Sequence, residues 1–376
     1  MHRRAFMHLI GGGVVMAATP ACVATPRSAT SAWSDAGAAT DPRLHALSHA
    51  LLAPNPHNRQ PWLARLDGAD AITLYVDRQR LLPVTDPFSR QILIGCGAFV
   101  ELLALATPAR GFRAQVTPWP EGEPGDQLDH RPFATVCLAP TGDPADRLFE
   151  HVLARRSNKE PYDAQRTPTT AELDGIVRSA VRPGLRFGYV NTPAETAKVR
   201  DLVTRAYERE YGTPAALKES VDLMRIGSRE IARYRDGIDL GGAPIEIMAA
   251  TGLITRQKLM TPGTMAHQQG ARLYVARART TNAFLFMGSG DNSRDAQLET
   301  GRAYARLNLA ATRDGLAMHP LSQALQEFPE MAPLKSEADR LLGVRPDERL
   351  QMLVRVGYGR PVPPSPRRGL QAHLMT

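Results

Sequence analysis

The sequence has few of the residues that mark several common classes of protein. Three cysteines among 376 residues are too few for a disulfide framework, which leaves Cys96 and Cys137 as either one bridge or two buried thiols. Aromatic residues make up only 6% of the chain, and its formal charge of +8 comes from basic residues spread along it. This distribution suits a few bound phosphates better than a nucleic-acid groove, so no nucleic-acid partner is predicted.

Short catalytic signatures are also missing. The sequence contains no C-x-x-C, H-E-x-x-H, G-x-S-x-G or phosphate-loop pattern, and "GSGDNS" from Gly288 has too few glycines for a dinucleotide fingerprint. His45 and His49 are one helical turn apart, but no third ligand stands nearby in the sequence, so we interpret them as core or surface histidines. No metal site is predicted.

The N-terminal stretch "MHRRAFMHLIGGGVVMAATPAC" resembles a twin-arginine export signal, with Arg3 and Arg4 before a short apolar run. The run is too short for a permanent membrane helix. We therefore expect residues 1–24 to be read by the twin-arginine translocation machinery, and the protein to reach the periplasm or the cell envelope. A lipoprotein at Cys22 is the less favoured alternative, because the usual leucine of a lipid-attachment motif is missing. Residues 25–40 are small and polar without periodicity, which predicts a linker.

Two regions of the chain share a pattern that predicts two degenerate copies of one α+β unit. A Ser-Arg pair is followed by two glycines at the same spacings in residues 89–111 and 293–315. A helix is predicted after the Asp41 cap, and strands in "AITLYVD", "FATVCLAP", "LRFGYV" and "QMLVRVGYG". We assign residues 41–150 to the first copy and 151–376 to the second.

A long insert interrupts the second copy. Residues 193–287, in part "EREYGTPAALKESVDLMRIGSREIARYRDGIDLGG", are rich in charged residues and helix formers. A lid over a site is one interpretation. A helical brace between the two halves is an equally favoured alternative.

The stretch "APNPHNRQPW" places several side-chain amides at one bend. Its prolines hold the backbone rigid, and each amide offers both a donor and an acceptor, which suits the edge of a polar heterocycle or a polyol. The alternative is a turn whose amides bond only to neighbouring backbone groups, and this motif alone does not decide between them. The residues concerned are Pro54, Asn55, Pro56, Asn58 and Gln60.

Two short basic clusters suggest an anion. Arginine forks match the oxygens of a phosphate, so two clusters that converge would hold one phosphate monoester. Either cluster alone would more often be solvated surface. The clusters are "RRSNK", with Arg155, Arg156, Ser157 and Lys159, and "SPRR", with Arg367 and Arg368.

Four stretches together resemble the FMN-dependent nitroreductase superfamily, and specifically its fused two-copy branch typified by the mycobacterial Acg proteins. They are "APNPHNRQPW", "RRSNKEPYD", "GRAYARLNLAATRDGLAMHPLSQ" and "VRVGYGRPVPPSPRR", and the resemblance covers most of the chain after the signal. It implies an α+β, nitroreductase-like fold in which the two copies form a pseudo-dimer within one chain. It also implies FMN as the cofactor, and a monomer or weak dimer.

The resemblance further implies roles for individual residues. Arg155, Ser157 and Lys159, with Arg156, match the motif that binds the phosphate and the pyrimidine ring, although "EPYD" is one residue longer than the usual spacing. Arg367 and Arg368 match the C-terminal phosphate pair. Pro54, Asn55, Pro56 and Asn58, with Gln60, match the loop that reaches the flavin from the opposite copy. Leu321, Ser322 and Gln323 fall where backbone N–H groups meet flavin N5, but the family's frequent Glu-Gly is replaced by Ser322-Gln323.

The function implied is an exported, FMN-dependent oxidoreductase that reduces small acceptors such as nitroaromatics or quinones. The flavin would perform the redox step, so no catalytic side chain is predicted. The alternative is a flavin-binding or flavin-sequestering protein without turnover, favoured by the insert and by export away from an evident NAD(P)H supply. One FMN per chain is predicted, because the reciprocal basic and amide motifs are eroded.

Overall fold

The computed structural model describes residues 25–375 of the chain. The expected export signal, with Arg3, Arg4 and Cys22, lies outside the described residues and stays a prediction. Within them the chain folds into two antiparallel four-stranded sheets packed on helices, together with a parallel pair of short strands. The α+β class expected from the sequence is confirmed.

The N-terminal part carries the first sheet. In chain order its elements are α1 (Arg27–Ser34), α2 (Pro42–Ala50), β1 (Trp62–Asp67), β2 (Ala71–Val76), α3 (Arg90–Ala106), β3 (Phe112–Pro118) and β4 (Ala134–Pro140). The strand order is β1-β2-β4-β3, and every neighbouring pair is antiparallel. Helix α2 begins as predicted, since the Asp41 carboxylate accepts a hydrogen bond from the Arg43 N–H at 2.8 Å and Pro42 occupies the first turn.

The C-terminal part carries the second sheet and a helical insert. Its elements are α4 (Thr170–Arg178), β5 (Leu185–Val190), α5 (Pro193–Gly212), α6 (Pro214–Asp222), β6 (Met224–Ile226), α7 (Gly227–Tyr234), β7 (Ile238–Leu240), α8 (Ala243–Ala250), α9 (Arg256–Met260), α10 (Met265–Arg279), β8 (Ala283–Ser289), α11 (Arg294–Arg313), β9 (Ala317–Pro320), α12 (Ala332–Leu341) and β10 (Arg349–Gly357). The order of the second sheet is β5-β8-β10-β9, again antiparallel throughout. Each sheet therefore places its first, second, fourth and third strands side by side.

The two central helices, α3 and α11, touch backbone to backbone. A Cβ added to Gly97 would lie 1.9 Å from the carbonyl oxygen of Leu298, and one added to Gly301 would lie 1.9 Å from that of Ile94. Both positions therefore require glycine. Residues 90–110 form a helical stretch long and apolar enough to cross a membrane, but most of it is buried inside the fold, as in a core helix.

Two buried arginines connect the halves reciprocally. Arg90, at the start of α3, donates to the carbonyls of Gln351 at 2.5 Å and Leu325 at 2.7 Å. Arg294, at the start of α11, donates to the carbonyls of Phe88 at 2.6 Å and Gly125 at 2.7 Å. The Ser-Arg pairs noticed in the sequence thus begin two helices whose arginines reach into the opposite half.

The expectation of a linker over residues 25–40 is wrong for residues 27–34, which form helix α1. Trp33 is buried, and its indole N–H donates to the Ser365 carbonyl at 2.8 Å. The Arg367 N–H donates to the Ala29 carbonyl at 2.8 Å. The small polar residues carry no hydrophobic period, so only the single tryptophan indicated that this segment docks on the C-terminal segment.

The predicted end of the insert at residue 287 is also wrong, because residues 283–289 form β8 in the middle of the second sheet. Every residue of this strand is buried. A strand covered on both faces is apolar without alternation. The sequence therefore lacks the two-residue pattern that would have distinguished this strand from the helices before it. The inserted elements are α5 to α10, with β6 and β7 among them.

Neither expectation for the cysteine pair is right in full. Cys96 lies buried in α3, whereas Cys137 is exposed on β4, and both are free thiols. A bridge between them is excluded, since one side chain faces the core and the other faces solvent. Burial raises the pKa of the Cys96 thiol well above its usual range, so it is protonated and unreactive at neutral pH.

Candidate functional site

The amide loop, residues 53–60, is held in a strained conformation. His57, Asn58 and Gln60 have positive φ angles of 47°, 52° and 51°, which non-glycine residues adopt at an energetic cost. The Asn55 side-chain oxygen accepts a hydrogen bond from the Gln60 N–H at 2.7 Å. Directly after the loop, Trp62 is fully buried and packs on Phe99 of α3 with 4.7 Å between ring centroids. The core thus fixes the loop in place.

The C-terminal arginines meet this loop. Arg367 donates from Nη1 to the Asn58 side-chain oxygen at 2.6 Å, and the Arg368 N–H donates to the Gln60 side-chain oxygen at 2.9 Å. Asn58 in turn donates from Nδ2 to the Pro366 carbonyl at 3.0 Å. Asn58 and Gln60 therefore bond to the distant C-terminal segment, whereas the alternative for this motif expected bonds only to neighbouring backbone groups. Contact of these amides with a ligand stays a prediction.

Arg155 and Arg367 converge on the end of α2 and the start of the amide loop. Arg155 donates from Nη2 to the Leu52 carbonyl at 2.7 Å, and Arg367 donates to the carbonyls of Leu51 at 2.9 Å and Ala53 at 3.1 Å. Only 1% of Arg155 and 3% of Arg367 is exposed. The two sequence clusters that were expected to converge on one phosphate are therefore brought together.

The positive charge of the four arginines in the two basic motifs is poorly compensated. We call Arg155, Arg156, Arg367 and Arg368 the arginine cluster; none of them forms an ion pair with a carboxylate within residues 25–375. Two nitrogens of Arg155, Nε and Nη1, are buried without a hydrogen-bond partner, as are Nε of Arg156 and Nε of Arg368. Burial lowers the pKa of Arg155 to about 10 and that of Arg367 to about 9. Unpartnered buried guanidinium groups are costly, so this arrangement favours an anion.

Trp33 of α1 covers the arginine cluster, a contact that the sequence analysis missed. Its ring centroid lies 4.3 Å from the guanidinium carbon of Arg156, 5.7 Å from that of Arg367 and 5.8 Å from that of Arg155. Cation–π attraction offsets part of the cost of burying these charges. A lone tryptophan in a stretch of small polar residues was the only signal that could have indicated this role.

Ser157 and Lys159 continue from the cluster toward the insert. Ser157 pairs with Met318 of β9 through an isolated parallel bridge. Nζ of Lys159 lies 4.0 Å from the Asp239 carboxylate of β7. Lys159 thus stands at the boundary between the second sheet and the insert.

His57 is a second residue of the site that the sequence analysis passed over. Its Nδ1 is buried without a hydrogen-bond partner, although the residue as a whole is half-buried. Burial lowers the pKa of His57 to about 4, and the positive charges of Lys159 and Arg59 add to the effect. The imidazole is therefore neutral at neutral pH, and the positive charge of Lys159 opposes its protonation.

The predicted segment Leu321–Gln323 forms a separate group, which shares no hydrogen bond with the amide loop or the arginine cluster within the described chain. The Leu321 N–H donates to the Leu353 carbonyl at 2.9 Å, and the Ser322 hydroxyl donates to the same carbonyl at 3.0 Å. The Gln323 side-chain oxygen accepts from the Tyr274 hydroxyl at 2.9 Å. Strand β10 and helix α10 thus fix this segment.

The insert lies on the amide loop through one turn. The Gly237 N–H donates to the Asn58 carbonyl at 3.2 Å, and Gln60 donates from Nε2 to the Arg235 carbonyl at 2.9 Å. Between them, the Asp236 carboxylate pairs with Arg80 at 2.7 Å. The turn 235–237 therefore connects the insert to the first half of the molecule at the candidate site.

A family model described as the nitroreductase family matches residues 152–358. The chain belongs to the nitroreductase family. This match spans more than half of the chain and includes the second sheet and the insert, so the family expected from the sequence is confirmed.

Relatives from Mycobacterium tuberculosis strain H37Rv match most of the chain. One, Rv3131, whose name describes an NAD(P)H nitroreductase, is 26% identical over 331 residues, which is 86% of this chain and 88% of the relative. Another, acg, whose name gives the same activity, is 25% identical over 343 residues, which is 88% of this chain and 94% of the relative. The first half of this nitroreductase-family chain is therefore matched in these relatives as well.

Among solved structures, the FMN-dependent nitroreductase NfnB from Mycobacterium smegmatis in complex with NADPH is similar with a TM-score of 0.36 and 17% identity, over 60% of this chain and 96% of that one. An iodotyrosine deiodinase bound to FMN and 3-iodo-L-tyrosine is similar with a TM-score of 0.35 and 16% identity, over 59% and 96%. Both are shorter than this chain.

Proposed function

We propose that the protein is an FMN-binding oxidoreductase of the nitroreductase family, and that the arginine cluster holds the phosphate of FMN. The observation that carries this proposal is Arg155, a buried guanidinium with two unpartnered nitrogens and Arg367 buried beside it. A dianionic phosphate would accept from the open nitrogens of Arg155 and would neutralise the charge of both guanidinium groups, since charge-assisted hydrogen bonds to arginine are among the strongest in proteins. Family membership and the FMN in the names of similar structures select FMN among phosphate monoesters.

FMN would supply two-electron transfer when bound, and the chain's residues would bind and orient it. Ser157 stands beside Arg155 to contact the phosphate, and Lys159 and His57 would face the ring system. The Leu321 N–H is taken by the Leu353 carbonyl of β10, which fixes the segment, so Ser322 and Gln323 would supply the backbone N–H groups. A site assembled from both halves of a molecule is typical of cofactor pockets.

The two halves are in our proposal degenerate copies of one unit, residues 41–150 and 151–376. Support comes from the same strand order in both sheets, from the glycines at the α3–α11 contact, and from the reciprocal contacts of Arg90 and Arg294. Duplication with fusion would turn the interface of a symmetric dimer into an interface within one chain.

The acceptors we propose are small electron acceptors such as nitroaromatics and quinones. A specific observation favours a second candidate, an FMN-binding protein without turnover. The insert contacts the amide loop through the turn 235–237 and contacts Gln323 through Tyr274, so it would act as a lid over the flavin.

Export through the twin-arginine route to the periplasm or cell envelope, with or without lipidation at Cys22, is part of the proposal and rests on the sequence alone.

Purification and reduction of the full chain test the function and separate the two candidates. An active oxidoreductase should be yellow, and its flavin should bleach both with dithionite and with a nicotinamide donor. Bleaching with dithionite alone, and no turnover of quinones, would favour the second candidate. A colourless protein that does not take up added FMN would contradict both.

A further inference from the structure

A carboxylate of the insert is buried beside the segment Leu321–Gln326 without a cationic partner. Glu210, near the end of α5, is 6% exposed. It accepts a hydrogen bond from Nε2 of Gln326 at 3.2 Å, and the nearby side-chain amide of Gln323 also favours its ionised form, which lowers the pKa of Glu210. It forms no ion pair within residues 25–375. Neutral amides stabilise an ionised carboxylate less than a cation does, so a proton is a natural second partner.

The groups packed around Glu210 favour its neutral form. The carboxylate of Glu219 on α6 adds negative charge. Tyr207 on α5 and Tyr274 on α10 stack with 3.7 Å between ring centroids, and burial raises the pKa of Tyr207 beyond its usual range, so neither phenol supplies charge. The positive charges that act on these phenols are those of Arg355 of β10 and Arg277 of α10 on Tyr274, and that of Arg277 on Tyr207. Burial raises the pKa of Glu210 to about 7, and Glu219 adds to this.

Gln323 connects this cluster to the candidate site. Its side-chain oxygen accepts from Tyr274 at 2.9 Å, and its backbone belongs to the segment fixed by β10. Its carbonyl accepts a hydrogen bond at 3.0 Å from the N–H of Gln326, whose side chain bonds to Glu210. A change of charge on Glu210 therefore acts on Gln323 through Gln326 and through the nearby side-chain amide of Gln323. The segment Leu321–Gln326 contains no carboxylate of its own, and Ser322 and Gln323 stand near its start. The carboxylate that bonds to it, through Gln326, is Glu210 of the insert.

We propose that Glu210 is a positioning residue whose carboxylate takes up one proton when the bound flavin is reduced, and that it acts on the flavin through Gln323. This inference rests on the proposed FMN function. Two electrons pass from a two-electron reductant to the flavin, which takes one proton. A second proton passes from solvent to a Glu210 carboxylate oxygen, and no bond of the protein breaks. Added negative charge in the site drives the uptake, because it raises the proton affinity of a nearby carboxylate.

The first test uses protein without flavin and compares wild type with Glu210→Gln. Glu208→Gln is the matched control, because Glu208 is exposed on the same helix. The folded carboxyl holds its proton more tightly than the unfolded one, so wild type should lose stability relative to Glu210→Gln as the pH rises from about 4.5 to about 7. Parallel stability profiles would overturn the inference.

The second test measures the midpoint potential of bound FMN against pH, with dithionite as the reductant. One additional proton per two electrons makes the slope of wild type steeper than that of Glu210→Gln by about 30 mV per pH unit. Glu208→Gln should keep the steep slope, and Glu210→Asp should restore it. Parallel slopes with FMN bound would overturn the inference alone. A protein that binds no FMN would overturn the proposed function, and this coupling with it.

Discussion

At the scale of single residues, Arg155 connects structure to function most directly. Its guanidinium is buried against the Leu52 carbonyl, while two of its nitrogens have no partner. A residue kept for stability alone would have its hydrogen bonds satisfied, because an unpartnered buried charge costs several kcal/mol. We infer that the fold tolerates this cost for the sake of a ligand.

Replacement of Arg155 by Met should separate binding from stability. The variant keeps the length of the side chain but removes the buried charge, so the protein without flavin should be at least as stable as wild type. FMN should bind more weakly by about 1.5–3 kcal/mol, roughly 10- to 150-fold, whereas riboflavin, which has no phosphate, should bind unchanged. Isothermal titration with both ligands measures this. Arg113→Met, an exposed position on β3, is the control, and equal weakening of both ligands would place Arg155 away from the phosphate.

His57 should make the stability of the protein depend on pH. The folded protein holds the pKa of His57 near 4, below its ordinary 6.5, so the unfolded chain binds the proton more tightly between these values. Stability due to this residue is therefore present above pH 6.5 and is lost as the pH falls toward 4, by about 1–3 kcal/mol. Urea unfolding at pH 4.5 and 7 should show a smaller difference in the free energy of unfolding for His57→Asn than for wild type, because asparagine does not titrate. Asparagine is chosen because it tolerates the positive φ. An unchanged difference would mean that His57 is not the group that titrates.

At the scale of elements, the crossing of α3 and α11 depends on two glycines. Gly97→Ala would push a methyl group against the Leu298 carbonyl, which a Cβ would approach to 1.9 Å, so the helices must separate. We expect a loss of about 1–3 kcal/mol or more in the free energy of unfolding. Gly175→Ala on α4 is the matched control, because its Cβ would meet only the end of Arg178 at 3.8 Å. The control should be neutral or stabilising by up to about 1 kcal/mol, and an equally small effect at Gly97 would contradict the close crossing.

Elements with a clear period or cap could be predicted from the sequence, and the others could not. The helix after Asp41 and strands β2, β4, β5 and β10 lie where alternation or capping placed them. Strand β8 was missed because it is buried on both faces. Helix α1 was missed because it is held by Trp33 and the C-terminal segment, which are distant in the sequence.

The candidate site was predictable in composition but not in its contacts. The two basic motifs and the amide loop do come together, as expected from their chemistry. Asn58, however, bonds to Arg367, more than three hundred residues along the chain, and Gln60 bonds to Arg368 and the insert. Such pairings depend on the tertiary fold, so the sequence could not show that the amides are occupied by protein groups.

At the scale of the whole molecule, the proposed duplication pairs the bend after α4 with the amide loop, and the two places differ in charge. Arg182 of this bend pairs with Glu101 at 3.5 Å and with Glu299. Glu101 also binds Arg302 and Arg306 at 2.9 Å each. The chain after β4, residues 142–145, is exposed and carries no basic pair. The arginines of this second region are therefore neutralised by carboxylates, unlike those of the arginine cluster.

One measurement tests the central proposal most directly: titration of the flavin-free full chain with FMN, followed by absorbance and calorimetry. We predict one tight site per chain, because the arginine cluster holds buried arginines without carboxylate partners, whereas the region around Arg182 does not. A phosphate in that second region would lose its hydration and gain few favourable contacts. Riboflavin should bind the same site more weakly, since the arginine cluster contributes only through the phosphate. Two tight FMN sites per chain, or equal affinity for FMN and riboflavin, would contradict the assignment of the arginine cluster as the phosphate site.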